Sequence, residues 1–203
     1  MNWQELSALL ALATAMSFTP GPTTTLATAL AANHGFRRAL PFVCAMPLGW
    51  GALLTLCSLG LGALVLALPL LGWTIKLAGV AYLLWLAAKL ARSRQLGEAD
   101  AARLNVTFWQ GAALQFVNIK AWMLALAIVS GWIAGQEAPA LRFALVLPLM
   151  LAYAFVSNLT YALAGSLLRD WLRGPDGTGQ RLAMFNRIMA AVLALTAVWM
   201  LWR

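Results

Sequence analysis

The sequence predicts an all-α integral membrane bundle of six transmembrane helices, built as a 3+3 inverted repeat whose first helix is broken at Pro-Gly-Pro. Three observations predict it. Of the 203 residues, 63% are hydrophobic and only 10% are charged, against roughly 25% charged in soluble domains. One soluble core of this size cannot hide so much apolar surface, so lipid is the solvent. Uncharged runs are long, and the basic residues, 14 against 6 acids, fall on alternate connections between those runs.

The first span lies within Leu6 to Gly35, which holds no lysine, arginine or acid. Pro20-Gly21-Pro22 interrupts it. Pro20 and Pro22 have no N–H, so the carbonyls of Met16 and Phe18 lose their i→i−4 partners. Lipid cannot replace those partners; such a break persists only when buried in protein or lining a wet cavity. Thr23, Thr24 and Thr25 follow at once, and any of them can cap a new half-helix whose amides face an anion. Free carbonyls on one side and free amides on the other suit the ammonium and carboxylate of a zwitterion. A proline kink that merely fits the bundle is the other reading.

A second uncharged run, Ala39 to Ile75, is roughly 55 Å long at ~1.5 Å per residue. That exceeds one crossing of a ~30 Å hydrocarbon layer. Extended through Leu90, it divides into spans two and three, with Pro69-Leu70-Leu71-Gly72 as the turn. Lys76, near the end of span three, is expected to snorkel. After a polar connection, Lys89 to Asn105, span four runs from Thr107 to Gly135 with Lys120 as its single charge. Lys120 lies about 13 residues in, roughly 20 Å along the axis and near mid-membrane. An unpaired lysine there costs several kcal/mol, so it should face a cavity or a partner unless it snorkels. The partners on offer are carbonyls, Asn118, Asn158 or a bound carboxylate. Span five, Phe143 to Leu168, carries Asn158 as interhelical glue or as a cavity residue. The connection from Arg169 to Arg187 leads to span six, Arg187 or Ile188 to Trp202.

Arg37 and Arg38 follow span one; Lys89, Arg92, Arg94 and Arg103 follow span three; Arg169, Arg173, Arg181 and Arg187 follow span five. The positive-inside rule puts these connections in the cytoplasm and both termini in the periplasm. Arg142, at the edge of an opposite connection, is the exception. The net charge of +8 is therefore a topology signal, and nucleic acid is not an expected partner. Trp3, Trp73, Trp109, Trp132, Trp171 and Trp202 sit near span ends, as interfacial anchors do. The N-terminus lacks the basic stretch of a signal peptide, so no cleavage is expected. No G-x-x-x-x-G-K-[ST] occurs, and no connection has room for an ATP-binding domain.

A shift of the chain by about 98 residues, the spacing at which two halves of an inverted repeat would superpose, lays Ser17 to Pro22 over Gln115 to Lys120, with Phe18 on Phe116, Leu26 on Leu124 and Ala29 on Ala127. The halves would be residues 1–97 and 98–203 of a single transmembrane domain. Three spans per half make such a repeat inverted. His34 is the only histidine, at the end of span one, either a loop residue or a proton acceptor. Cys44 and Cys57 lie about 20 Å apart on one helix and cannot pair within it, which disfavours a thiol relay. Metal export needs clustered ligands at membrane depth, and one His with two separated Cys does not supply them. No metal or cofactor is expected.

Pro20-Gly21-Pro22, Asn33-His34-Gly35-Phe36-Arg37, the stretch Lys76 to Leu86, and Phe108-Trp109-Gln110-Gly111 leading to Asn118-Ile119-Lys120-Ala121 together resemble the LysE/RhtB family of bacterial amino-acid exporters. The ordered set covers essentially the whole chain. The family's second-half motif usually reads Asn-Pro-Lys; here Ile119 takes the proline's place, so no proline enforces a break in span four. Leu114 to Lys120 and the His34 to Arg37 turn look closest to the cysteine/O-acetylserine branch. The resemblance implies secondary export of neutral amino acids across the inner membrane, driven by the proton-motive force, with no enzymatic step. Threonine, homoserine, leucine or lysine are the substrates of other family branches. The site expected from residues and resemblance together comprises Met16, Phe18, Pro20, Gly21, Pro22, Thr23, Thr24, Asn118, Lys120 and Asn158. His34, Glu5, Asp170 or the substrate itself would carry the proton. Homodimerisation through glycine faces is allowed, not indicated.

Overall fold

The structure, a computed structural model, describes residues 1–93, 106–174 and 179–202. Most of the predicted Lys89–Asn105 connection, with Arg94 and Arg103, and residues 175–178 of the later one lie outside the described residues. Among the described residues all regular structure is helical: α1 (Trp3–Phe18), α2 (Pro22–His34), α3 (Phe36–Ser58), α4 (Leu61–Ala67), α5 (Pro69–Arg92), α6 (Phe108–Val117), α7 (Ile119–Ile128) with a π-turn (Val129–Ile133), α8 (Pro139–Arg173) and α9 (Gln180–Leu201).

Local chemistry sets the starts. Asn2 caps α1 reciprocally: its Oδ1 accepts from the Glu5 amide at 2.7 Å, and Glu5 Oε2 accepts from the Asn2 amide at 3.0 Å. Thr107 and Gln110 form the same box at α6. Each spares two first-turn amides that would otherwise lack acceptors. Gly35, at φ +86°, turns the chain between α2 and α3, a conformation that a side chain would strain.

Four helices, α3, α5, α8 and α9, are long and apolar enough to cross a membrane, and α6 with α7 and the π-turn makes a fifth if that bent pair is one span. The turn expected at Pro69–Gly72 is displaced. Gly60, at φ +106°, ends α3 early, the short α4 follows, and Pro69 opens α5 as its first residue. Proline is tolerated there because a first-turn N–H has no acceptor anyway. Pro41, Pro47 and Pro148 lie inside α3 and α8. Leu70 and Leu167 are more than 80% exposed, an orientation that lipid, not water, makes favourable.

Two apolar cores are stacked along α3 and α8. One gathers α2, α5, α6 and α9 around Phe42, Val43 and Met46 of α3 and Ala162 of α8. The other gathers α1 and α7 around Trp50, Leu53 and Leu54 of α3 and Val146 and Met150 of α8. Both long helices thus pass through both cores, and the seam falls near residues 46–50 and 150–162. Glycine brings backbones together at three crossings. A Cβ on Gly49 would lie 2.2 Å from the Ala112 carbonyl oxygen, on Gly79 2.0 Å from that of Val117, and on Gly165 2.2 Å from that of Thr28. Small residues at such crossings let helices pack where no hydrophobic force joins them.

At the ends, polar contacts complete the bundle. Glu5 pairs with Arg142 at 3.2 Å, and Trp132 Nε1 donates to the Glu5 carbonyl at 2.8 Å. Arg142, the exception to the charge pattern, is therefore an ion-paired residue. Trp132 turns inward, whereas Trp3, Trp73, Trp109, Trp171 and Trp202 are exposed at helix ends. At the other end the amides of Asn33 and Asn186 exchange hydrogen bonds at 2.7 and 2.8 Å, and Asn186 Nδ2 also donates to the Ser93 carbonyl. This joins α2 and α9 to the end of α5, with both asparagines buried.

Candidate functional site

The site is built where two helices break. Between α1 and α2, Thr19 is extended at φ −73°, ψ 136°, and Pro20 and Pro22 withhold the donors that would continue α1. The Thr24 hydroxyl accepts from the Gly21 amide at 2.9 Å and so closes the first turn of α2. The amides of Thr23 and Thr24 open α2, where no preceding turn supplies acceptors.

Span four breaks without a proline. Asn118 is extended at φ −95°, ψ 100°, and α6 and α7 meet at 67°. Asn118 Oδ1 accepts from the Lys120 amide at 3.2 Å, capping α7. Trp122 Nε1 donates at 2.8 Å to the Phe116 carbonyl, one of those freed by the break. The asparagine and the tryptophan supply what Ile119 does not.

The two breaks meet. Lys120 Nζ donates to the Thr19 carbonyl at 2.7 Å, and a Cβ on Gly21 would lie 3.2 Å from Lys120 Cδ. The ammonium therefore turns inward onto the other broken helix, and it does not snorkel. Around this contact lies a cavity that opens to the surface. It sits at the seam between the two cores. Of the predicted residues, Met16, Gly21, Thr23, Thr24, Asn118, Lys120 and Asn158 line it. Phe18, Pro20 and Pro22 adjoin the break but are not lining residues.

One expectation is corrected at the Phe18 carbonyl, which was to stand free for a substrate. It accepts from the Tyr161 hydroxyl at 2.8 Å, because α8 brings a long donor within reach of the break. His34 ends α2, about 15 Å along the helix from Thr24. It is half-buried, its Nε2 has no partner, and it does not line the cavity. Lys76, in α5, reaches the end of α9: its Nζ donates to the Leu201 carbonyl at 3.5 Å and lies 4.7 Å over the Trp73 ring.

Thr19, Gln115, Trp50 and Ser157 also line the cavity, and the sequence reading missed them. Gln115 had a signal, since it stands one helical turn before Asn118. Thr19 had none, because it acts through its backbone carbonyl. Asn158 is buried, and its Nδ2 donates to the Ala154 carbonyl of its own helix at 2.8 Å. It makes no hydrogen bond to another helix, so it is a cavity residue. Chemically, the arrangement sets an ammonium and helix-opening amides against carbonyl acceptors in one space between apolar layers. Among the described residues no three His, Cys, Asp or Glu side chains come together as a metal site.

Comparison with known proteins bears on what such a cavity holds. A family model described as LysE type translocator matches residues 14–203. A protein of Salmonella choleraesuis (strain SC-B67) named Cysteine/O-acetylserine efflux protein is 33% identical over 183 residues, 90% of this chain and 90% of its own. The protein of the same name from Escherichia coli (strain K12) is 32% identical over 188 residues, 90% of this chain and 88% of its own. No solved structure matches the chain.

Proposed function

Because this chain belongs to the LysE type translocator family, we propose that it is a secondary exporter of neutral amino acids or their derivatives, with cysteine and O-acetylserine as first candidates. The relatives' names point to that branch. The observation that carries the site is the 2.7 Å contact between Lys120 Nζ and the Thr19 carbonyl. It brings a cation and a backbone acceptor freed by the helix break together inside a cavity at the meeting of two broken helices. A zwitterion has one group for each. The substrate carboxylate takes Lys120 and the α2 amides at Thr23 and Thr24; its ammonium takes the carbonyl side, at Met16 and Thr19. The remaining surfaces, Trp50, Met150 and Leu124, receive an uncharged side chain.

Six crossings serve this function, with α1 and α2 as a broken first span and α6 with α7 as its counterpart. Residues 1–203 form one transmembrane domain with inverted halves 1–97 and 98–203. Two features support the repeat. A shift of about 98 residues carries the break after Phe18 onto the break after Val117 to within a residue. The helices that would be counterparts, α3 with α8 and α5 with α9, pack against each other, as helices flanking a twofold axis between the halves would. The protein sits in the bacterial inner membrane with both termini periplasmic, works by alternating access and is driven by protons.

The test is efflux from proteoliposomes preloaded with the twenty amino acids, O-acetylserine and homoserine, with and without a proton gradient. Selective, gradient-dependent loss of cysteine or O-acetylserine is expected. Loss of threonine, homoserine or leucine would overturn the branch, and loss of nothing from vesicles holding folded protein would overturn the reading.

A further inference from the structure

Asn158 is 4% exposed, lines the cavity, and leaves its Oδ1 without a hydrogen-bond partner. Which end of the amide is unsatisfied is settled by chemistry. The other end lies 2.8 Å from the Ala154 carbonyl, which can only accept, so the nitrogen must face it and the oxygen must face away. Buried polar atoms without partners are rare in native proteins, and each calls for an explanation. Here the chain offers no donor to an acceptor carried by a cavity-lining residue.

From this we infer that Asn158 Oδ1 completes, beside the carbonyls of Met16 and Thr19, the receptor for the α-ammonium of the substrate, and that it makes a free amine a condition of transport. The inference rests on the amino-acid reading above and adds a selection rule to it. Lys120 and the α2 amides are all donors and can hold any carboxylate. They cannot tell an amino acid from the same molecule without its amine. An unmet buried acceptor can, because a ligand lacking the donor leaves it desolvated and unpaired. An N-acylated amine is neutral, bulkier and a weaker donor, and it loses the charge-assisted bond. The protein should therefore pass free α-amino acids and hold back both N-acyl amino acids and deaminated acids with the same side chain. Asn158 sits beside the cavity-lining Ser157 and one turn after Ala154, another lining residue, so α8 presents this acceptor from a rigid element.

The test uses the full chain in proteoliposomes, with export of the best amino acid of the panel as the readout. N-acetyl and deaminated analogues serve as competitors, and Asn158→Leu and Asn158→Asp as variants. Wild type should discriminate the free amino acid from either analogue by at least about tenfold. Asn158→Leu should reduce that ratio towards one, and Asn158→Asp, which keeps an acceptor, should preserve it. Should Asn158→Leu fail to fold, loss of discrimination by Asn158→Asp overturns the inference and its retention supports it. An unchanged ratio in folded Asn158→Leu overturns the inference while leaving the amino-acid reading intact. No export of any amino acid by wild type overturns both.

Discussion

Lys120 and Thr19 stand 101 positions apart in the chain, and the Nζ of one donates to the carbonyl of the other at 2.7 Å. A side chain from the second half thereby satisfies a backbone group exposed by the break in the first. The contact also keeps the ammonium from lipid, where it would cost several kcal/mol. Lys120→Met removes the charge while retaining length, and is expected to lower export at least tenfold, about 1.4 kcal/mol of lost stabilisation. The check is efflux normalised to protein recovered from the membrane. Transport at the wild-type level would separate Lys120 from the site.

The Gly165 crossing leaves no room for a methyl group. A Cβ there would lie 2.2 Å from the Thr28 carbonyl oxygen. Overpacking of this kind costs about 1–3 kcal/mol, so Gly165→Ala should lower the thermal midpoint of the protein in detergent. Gly131→Ala, where nothing lies within 4 Å, should leave it unchanged.

Asn33 and Asn186 satisfy each other in a buried setting. Replacing either with Leu strands the remaining amide at a cost of about 1–3 kcal/mol. The double variant should lose less than the sum of the singles, because the carboxamide that each single change strands is gone and only the contacts to Ser93 are left unmet. A double-mutant cycle on thermal stability measures that coupling.

The Glu5–Arg142 pair fixes the start of α1 to the start of α8. Glu5→Arg sets like charges together and should lower the yield of folded protein. Combining it with Arg142→Glu should recover that yield. Size-exclusion profiles of the three variants provide the comparison.

Orientation is open to direct test. Reporter fusions at Met1 and Trp202 should be active only as periplasmic reporters, and a reporter inserted after His34 only as a cytoplasmic one. A cytoplasmic signal from either terminus would reverse the assignment drawn from the arginines.

The first break was legible in the residues because proline lacks a donor wherever it stands. The second was not. Ile119 fits a helix, and the interruption at Asn118 depends on a cap made by its own side chain and on Trp122 reaching the Phe116 carbonyl. The composition announced a membrane bundle and placed its long helices, but Pro69 was misplaced because proline opens a helix as readily as it marks a turn. At the site, charged and amide side chains could be read from the sequence. The Thr19 carbonyl could not, since every residue has one and only the fold selects which is left bare. The claim on the Phe18 carbonyl made by Tyr161 spans 143 positions, and no local pattern encodes it.

The two broken arms hold equivalent places in the chain yet are mounted differently. Gly49 and Gly79 seat α6 against the backbones of α3 and α5, close contacts that no small displacement can trade for others. Among the described residues α1 has no such seat. It packs Leu9, Leu12, Ala13 and Met16 against the second core and adds exchangeable polar contacts, Thr14 with Tyr153 and Glu5 with Arg142 and Trp132. Water or lipid headgroups can replace those one at a time. One arm is therefore held by backbone against backbone and the other by side chains, and the Lys120–Thr19 bond is the tie between the two breaks.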